Sequence, residues 1–169
     1  MTNRVLGADL TVSAVGLGCM GFSHAYGAPT QRSEAVRAIR AAFDLGYTMF
    51  VTAETYGTAA DPHENEKLVG EALKDIRDQV QIVTKFGIRF DETSSAVNKP
   101  LIPDARPETI RASVEGSLQR LQTDHIDLYF QHRMDPSVEP EAVAQVMADL
   151  IQEGKITHWG ISEVTEDYL

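Results

Sequence analysis

The chain has 169 residues, 25 Asp+Glu against 15 Lys+Arg, and a formal charge of −10, which excludes a general basic clamp for nucleic acid or anionic lipid. With 43% hydrophobic and 24% charged residues and no low-complexity tract, the composition is that of a soluble chain able to bury one core, and disorder is excluded. The single Cys19 leaves no internal disulfide, no Cys/His pattern has zinc spacing, and no apolar stretch approaches a membrane span, so a cytoplasmic protein without a metal or membrane partner is expected. No apolar region follows Arg4, so no secretory leader is expected either.

Residues 4–6 and 10–12 alternate about Gly7-Ala8-Asp9 as a small hairpin does. Val15-Gly16-Leu17-Gly18 reads as a short strand, and the glycine-rich segment through Met20, Gly21, His24 and Gly27 to Pro29 as a functional loop. Ser33 stands where a cap belongs, ahead of a helix with Val36, Ile39 and Phe43 on its stripe and Gly46 at its end. Residues 49–53 form an unbroken apolar or β-branched run, as in a strand covered on both faces. A second amphipathic helix over 64–74 carries Leu68, Val69, Ala72 and Leu73, with Ile76 continuing the stripe, and residues 80–85 make the third strand. Residues 86–107, interrupted by Pro100 and Pro103, read as a long surface loop of the kind that shapes a site. A helix restarts at Pro107 with Ile110, Val114, Leu118 and Leu121, a strand covers 126–132, a helix carries Val143 to Ile151 before Gly154, and a fifth strand covers 156–162.

Strands alternating with helices imply right-handed βαβ units and a parallel sheet. Gly16-Leu17-Gly18-Cys19-Met20-Gly21 mimics a dinucleotide fingerprint, but it leads into a loop rather than a helix, which disfavours a doubly wound or flavodoxin-like fold. In a β/α barrel the strand C-termini collect at one face, so Tyr56, Lys85, His132 and Ser162-Glu163, each ending or following a strand, should converge there. A lysine at the end of an apolar strand is costly unless it is paired or functional. Beside it, a tyrosine and a histidine suit protonation of a carbonyl oxygen. Cys19 reads as a small packed residue; His24, His63, His125 and His158 as surface or capping residues; and Glu54, Glu64 and Glu66 as a solvated acidic rim.

Six segments, taken together and in this order, resemble the aldo-keto reductases, and most closely the bacterial branch. They are Val15-Gly16-Leu17-Gly18-Cys19-Met20-Gly21, Phe50-Val51-Thr52-Ala53-Glu54-Thr55-Tyr56-Gly57, Asn65-Glu66-Lys67-Leu68-Val69-Gly70-Glu71-Ala72-Leu73, Thr84-Lys85, Asp127-Leu128-Tyr129-Phe130-Gln131-His132-Arg133 and Gly160-Ile161-Ser162-Glu163. The resemblance implies an α/β fold of the (β/α) TIM-barrel type, here about the first five of eight strands in a single domain over 1–169, preceded by the short hairpin. It implies NADP(H) as cofactor, small aldehydes or ketones as substrates and direct hydride transfer. Tyr56 would be the general acid, Lys85 would lower its pKa, and His132 would orient the carbonyl. Met20, Gly21, Ser162 and Glu163 would border the cofactor, with Glu163 where many relatives carry Asn.

Two departures from the family pattern carry expectations of their own. The signature Phe-Asp-Thr-Ala is here Phe50-Val51-Thr52-Ala53, so the carboxylate that pairs with the lysine is absent, and desolvation should lower the pKa of Lys85 and weaken its help to Tyr56. The chain ends after the fifth strand, so the first and fifth strands are expected to be open edges that favour a homo-oligomer. These departures keep a second reading open, in which the chain is a catalytically inactive half-barrel that persists as an oligomeric or binding module.

Overall fold

The computed structural model describes residues 1–58, 60–95 and 100–169. Alternation sets the first element: β1 (Asn3–Leu6) and β2 (Leu10–Ser13) pair antiparallel from Asn3 opposite Ser13 to Leu6 opposite Leu10, around Gly7 at φ +60°. The rest runs β3 (Leu17–Gly18), α1 (Arg32–Asp44), β4 (Met49–Val51), α2 (Glu64–Leu73), β5 (Gln81–Phe86), β6 (Ile88–Phe90), β7 (Leu101–Pro103), α3 (Pro107–Leu121), β8 (Ile126–Gln131), α4 (Pro140–Gln152) and β9 (Ile156–Ile161). The main sheet has the order β3-β4-β5-β8-β9, and every neighbouring pair in it is parallel.

The two faces of this sheet are covered differently. Phe50, Ile82, Phe86, Ile126, Tyr129 and Ile156 pack into one core with residues from all four helices, among them Ile39, Leu73, Val114 and Met147. On the other face Val83 and Leu128 pack with Leu10 and Val12 of the hairpin, flanked by Met49, Val51 and Phe130, and among the described residues no helix contributes to this cluster. Helices on a single face distinguish a barrel segment from a doubly wound sheet, which carries them on both. The hairpin closes the inner face below the strand ends, and His158 of β9 reaches back to Asp9 of its turn at 2.8 Å.

At the N-terminal end of the strands a nearly buried ion pair fixes the register of β5 against β8. Arg77 Nη2 donates to Asp127 Oδ2 at 2.7 Å and to the His125 carbonyl at 2.9 Å, and the Ile82 amide donates to the same Asp127 oxygen at 2.8 Å. Arg77 Nε also donates to Thr123 Oγ1 at 2.8 Å and Nη1 to the Val80 carbonyl at 3.0 Å, so the three guanidinium nitrogens are all engaged, the condition under which a buried ion pair is tolerated.

Three local expectations are corrected. The cap of α1 is Gln31, whose carbonyl accepts from the Glu34 and Ala35 amides, while Ser33 lies inside the helix. Residues 86–107 are not a plain surface loop: they hold the antiparallel pair β6 and β7, in which Pro103 sits opposite Ile88. An edge position of a two-stranded ladder does not need the missing proline N–H, which is why Pro100 and Pro103 conceal the strand in the sequence. Residues 96–99 of that segment lie outside the described residues. The stripe of α2 continues past Leu73 in a 3-10 segment, Lys74–Gln79, with Ile76 at a break in helical geometry. Among the described residues no helix is long and apolar enough to cross a membrane.

The close approach of α2 to α3 at Gly70 tests this packing. A Cβ at Gly70 of α2 would lie 2.5 Å from the Arg120 carbonyl oxygen and 2.7 Å from Leu121 backbone atoms of α3, which cannot rotate away. In an open helix Gly→Ala stabilises by about 1 kcal/mol. Here Gly70→Ala is expected to destabilise by about 1–3 kcal/mol, read as a lower urea midpoint at unchanged slope.

Candidate active site

Parallel strands deliver their C-terminal ends to one edge, and the backbone ladder continues past each strand to hold the residues that follow. Thr52 N–H donates to Val83 O at 2.8 Å, Glu54 N–H to Lys85 O at 3.3 Å, His132 N–H to Phe86 O at 2.8 Å and Ser162 N–H to Gln131 O at 3.0 Å. Tyr56, Lys85 and His132 therefore come together at the ends of the three middle strands, β4, β5 and β8.

Lys85 Nζ donates to the Tyr56 hydroxyl at 3.0 Å and to the Thr52 carbonyl at 2.8 Å. The His132 ring meets the Tyr56 ring edge-on, centroids 5.6 Å apart. On the other side His24 stacks on Tyr56 at 5.9 Å and is held by a hydrogen bond between Nδ1 and the Gly57 carbonyl at 2.9 Å. Gly57 must be glycine: a Cβ there would fall 2.0 Å from the Asp61 carbonyl oxygen. The phenol is thus clamped between two imidazoles with its hydroxyl on the ammonium.

Burial dominates the electrostatics. It lowers Lys85 to about 8, with Cys19 working against it and Arg133 adding to it. It lowers His132 to about 4, helped by Lys85 and Arg133. Tyr56 is raised by burial, which outweighs the opposing Arg133. At neutral pH the trio is therefore an ammonium, a neutral imidazole and an intact phenol. The resemblance implies a tyrosine made more acidic by its lysine; in this chain desolvation wins and the phenol stands above its ordinary value. The lysine lowered by burial follows from Val51, whose side chain belongs to the apolar inner cluster and offers Lys85 no charge. Cys19 is fully buried, with its thiol pushed up to about 12, as a packed residue should be.

Met20 and Gly21 lie in a 3-10 turn after β3, and Ser162 and Glu163 follow β9, so the two pairs flank the trio from opposite edges of the sheet. Among the described residues no hydrogen bond or ion pair joins one pair to the other. Glu163 adopts φ +51°, a region that Asn tolerates better than Glu, and pairs with Arg133 at 3.1 Å. Among the described residues the half-buried Ser162 hydroxyl has no side-chain partner, which leaves a donor and an acceptor for a carboxamide such as that of nicotinamide.

The acidic rim is corrected. Glu54 and Glu66 are buried, on the helix side of the strands. Glu66 accepts from Thr84 Oγ1 and from Arg120 Nε, each at 2.6 Å, while Glu54 accepts from Ser113 Oγ at 3.2 Å and lies 3.9 Å from Arg120. Glu54 borders a cavity of about 340 Å³ between β6 and α3. Half-buried His24 is not a surface group but holds the Gly57 carbonyl, and His63, at the N-cap position of α2, turns its ring to the Glu54 carbonyl instead of to the helix amides. His24, Ser23, Asn65 and Arg133 are site residues that sequence reasoning passed over. Asn65 and Arg133 stand in the segments that carry the family resemblance, and His24 in the glycine-rich loop, but none of these signals showed which group each would meet.

Parallel strands with helices on one face and a Tyr-Lys-His trio at their C-terminal ends define a partial (β/α) barrel. The model of the aldo/keto reductase family matches residues 14–169. The chain belongs to that family. It is 41% identical over 157 residues to "Probable aldo-keto reductase 1" of Glycine max, covering 92% of this chain and 43% of the relative. An aldo-keto reductase from Bacillus halodurans, solved in its holo form, superposes with a TM-score of 0.81 at 34% identity, over 96% of this chain and 50% of that one. An aldo/keto reductase from Klebsiella pneumoniae in complex with NADP and acetate gives 0.71 at 30%, over 95% and 49%. The chain thus spans about half the length of these relatives.

Glu54 sets a pH dependence. Burial and the neighbouring Glu66 raise it to about 7, against an ordinary 4.5, so the folded chain holds its proton more tightly than the unfolded one. That contribution is full below about pH 4.5 and lost as pH rises through 7. Glu54→Gln keeps the shape without the proton. Urea midpoints compared from pH 4.5 to 8 should show the parent losing stability relative to this variant, by on the order of 1–3 kcal/mol.

Proposed function

We propose that the chain provides the proton-donating site of an NADPH-dependent reductase of small aldehydes and ketones. The observation that carries this reading is the Lys85 Nζ to Tyr56 Oη contact of 3.0 Å beside an edge-on His132, at the C-terminal ends of parallel strands. The chemistry that nicotinamide supplies when bound is hydride donation to the carbonyl carbon. Tyr56 Oη gives its proton to the carbonyl oxygen, and the Lys85 ammonium stabilises the phenolate left behind. The raised pKa of Tyr56 keeps the phenol loaded, and the neutral His132 orients the carbonyl as a hydrogen-bonding partner. Ser162, through its hydroxyl, and Met20, Gly21 and Glu163 would hold the cofactor at the two edges of the sheet.

Aldo-keto reductases from Klebsiella pneumoniae in complex with NADP and with NADPH support the cofactor assignment. The cytoplasmic location belongs to the same proposal. So does a homo-oligomer, supported by β3 and β9, which have a strand partner on one side only within the described residues.

Calorimetric titration with NADPH tests the reading. Micromolar binding, roughly −8 kcal/mol, is expected. No heat up to millimolar NADPH from a folded chain overturns it and leaves the inactive half-barrel. Tyr56→Phe should lower the carbonyl reduction rate by about 100-fold or more while NADPH binding persists. The rate should fall as pH rises through about 8, where Lys85 loses its charge. Val51→Asp, by returning a counter-ion to Lys85, should speed single-turnover hydride transfer.

A further inference from the structure

Asn65 is the second residue of α2, and its side chain is fully buried. A carboxamide has two donors and one acceptor oxygen, and burial makes each unmet one costly. All three of its contacts are with segments of the site. Its oxygen accepts from Thr52 Oγ1 at 2.6 Å, and its nitrogen donates to the Cys19 carbonyl at 2.9 Å and to Ser23 Oγ at 2.6 Å. The Cys19 carbonyl can only accept, which fixes the orientation of the amide.

Both hydroxyls lead on to the trio. Ser23 Oγ donates to the Tyr56 carbonyl at 2.6 Å. The Thr52 carbonyl accepts from Lys85 Nζ at 2.8 Å, and Lys85 donates to Tyr56 Oη at 3.0 Å. The contacts close into a ring that runs from Asn65 through Thr52, Lys85, Tyr56 and Ser23 back to Asn65. Val51 makes this ring consequential: with no carboxylate on β4, the place of the ammonium depends on where the Thr52 backbone is held.

We propose that Asn65 and Ser23 are positioning residues that set the contact between Lys85 and Tyr56 by anchoring, respectively, the strand end that holds the ammonium and the loop that carries the phenol. The inference rests on the reading of Tyr56 as acid and Lys85 as its partner. Neither Asn65 nor Ser23 reaches the hydroxyl or the ammonium itself, so both act through the backbone of others. A displacement of about 1 Å at a reacting group is enough to cost roughly 100-fold in rate.

The test compares Asn65→Ala, Ser23→Ala and the hydroxyl-retaining Ser23→Thr with the parent. The Lys85 titration is followed by NMR of chain labelled with ¹³C at lysine Cε, and carbonyl reduction is measured at saturating NADPH. The parent is expected to titrate near 8. In Asn65→Ala and Ser23→Ala the loosened ammonium gains water, and its midpoint should rise by about one unit toward the ordinary lysine value. Their kcat should fall at least about tenfold with little change in KM, and Ser23→Thr should restore both readouts. Folded variants that keep the parent's Lys85 midpoint overturn the inference. If Asn65→Ala does not fold, Ser23→Ala decides alone, because it leaves the Asn65 contacts to Thr52 and Cys19 intact. A parent that reduces no carbonyl overturns the proposed function, and the Lys85 midpoint then decides the positioning role separately.

Discussion

The parallel direction of the five core strands is the constraint on which every other feature rests. Because β4, β5 and β8 run the same way, residues separated by long stretches of chain reach one edge, and the ladder bonds beyond each strand hold Tyr56, Lys85 and His132 within contact. The crossovers that parallel strands require put all four helices on one face. The opposite face is left for the hairpin at one end and the polar trio at the other.

This division also separates two kinds of buried charge. On the helix side Glu66 and Arg120 meet at 2.6 Å, with Thr84 on the other carboxylate oxygen, so a fully buried carboxylate has both of its oxygens engaged. On the inner side Lys85 has only a carbonyl and a phenol, and burial lowers its pKa. The first arrangement ties α2, β5 and α3 together. The second leaves an ammonium poised to lose its charge, a state suited to chemistry and unsuited to holding a fold.

The backbone between the two is shared. Thr84 contacts the structural pair while Lys85, the next residue, contacts the phenol; Asn65 holds the site segments while Glu66, also the next residue, holds α3 through Arg120. In a strand, neighbours face opposite sides, and at the start of α2 they diverge by about a quarter turn. Adjacent residues therefore serve packing and site at once.

Much of this was written in local pattern. Alternating strands and helices, the apolar stripes of α1, α3 and α4, and polar residues at strand ends depend on nearest neighbours and helical period, and those are legible in one dimension. So was the absence of a carboxylate at Val51. What the tertiary structure alone decided concerns burial and distance. Glu54 and Glu66 looked like solvated acids because nothing in a sequence reveals that Arg120, 54 residues beyond Glu66, closes over one of them. The β6 and β7 pair was hidden by Pro103, whose edge position is a property of the ladder. The clamp of His24 on Tyr56 and the ring through Asn65 join residues 13 to 46 positions apart, and only the fold, by bringing those segments to one edge, makes them neighbours.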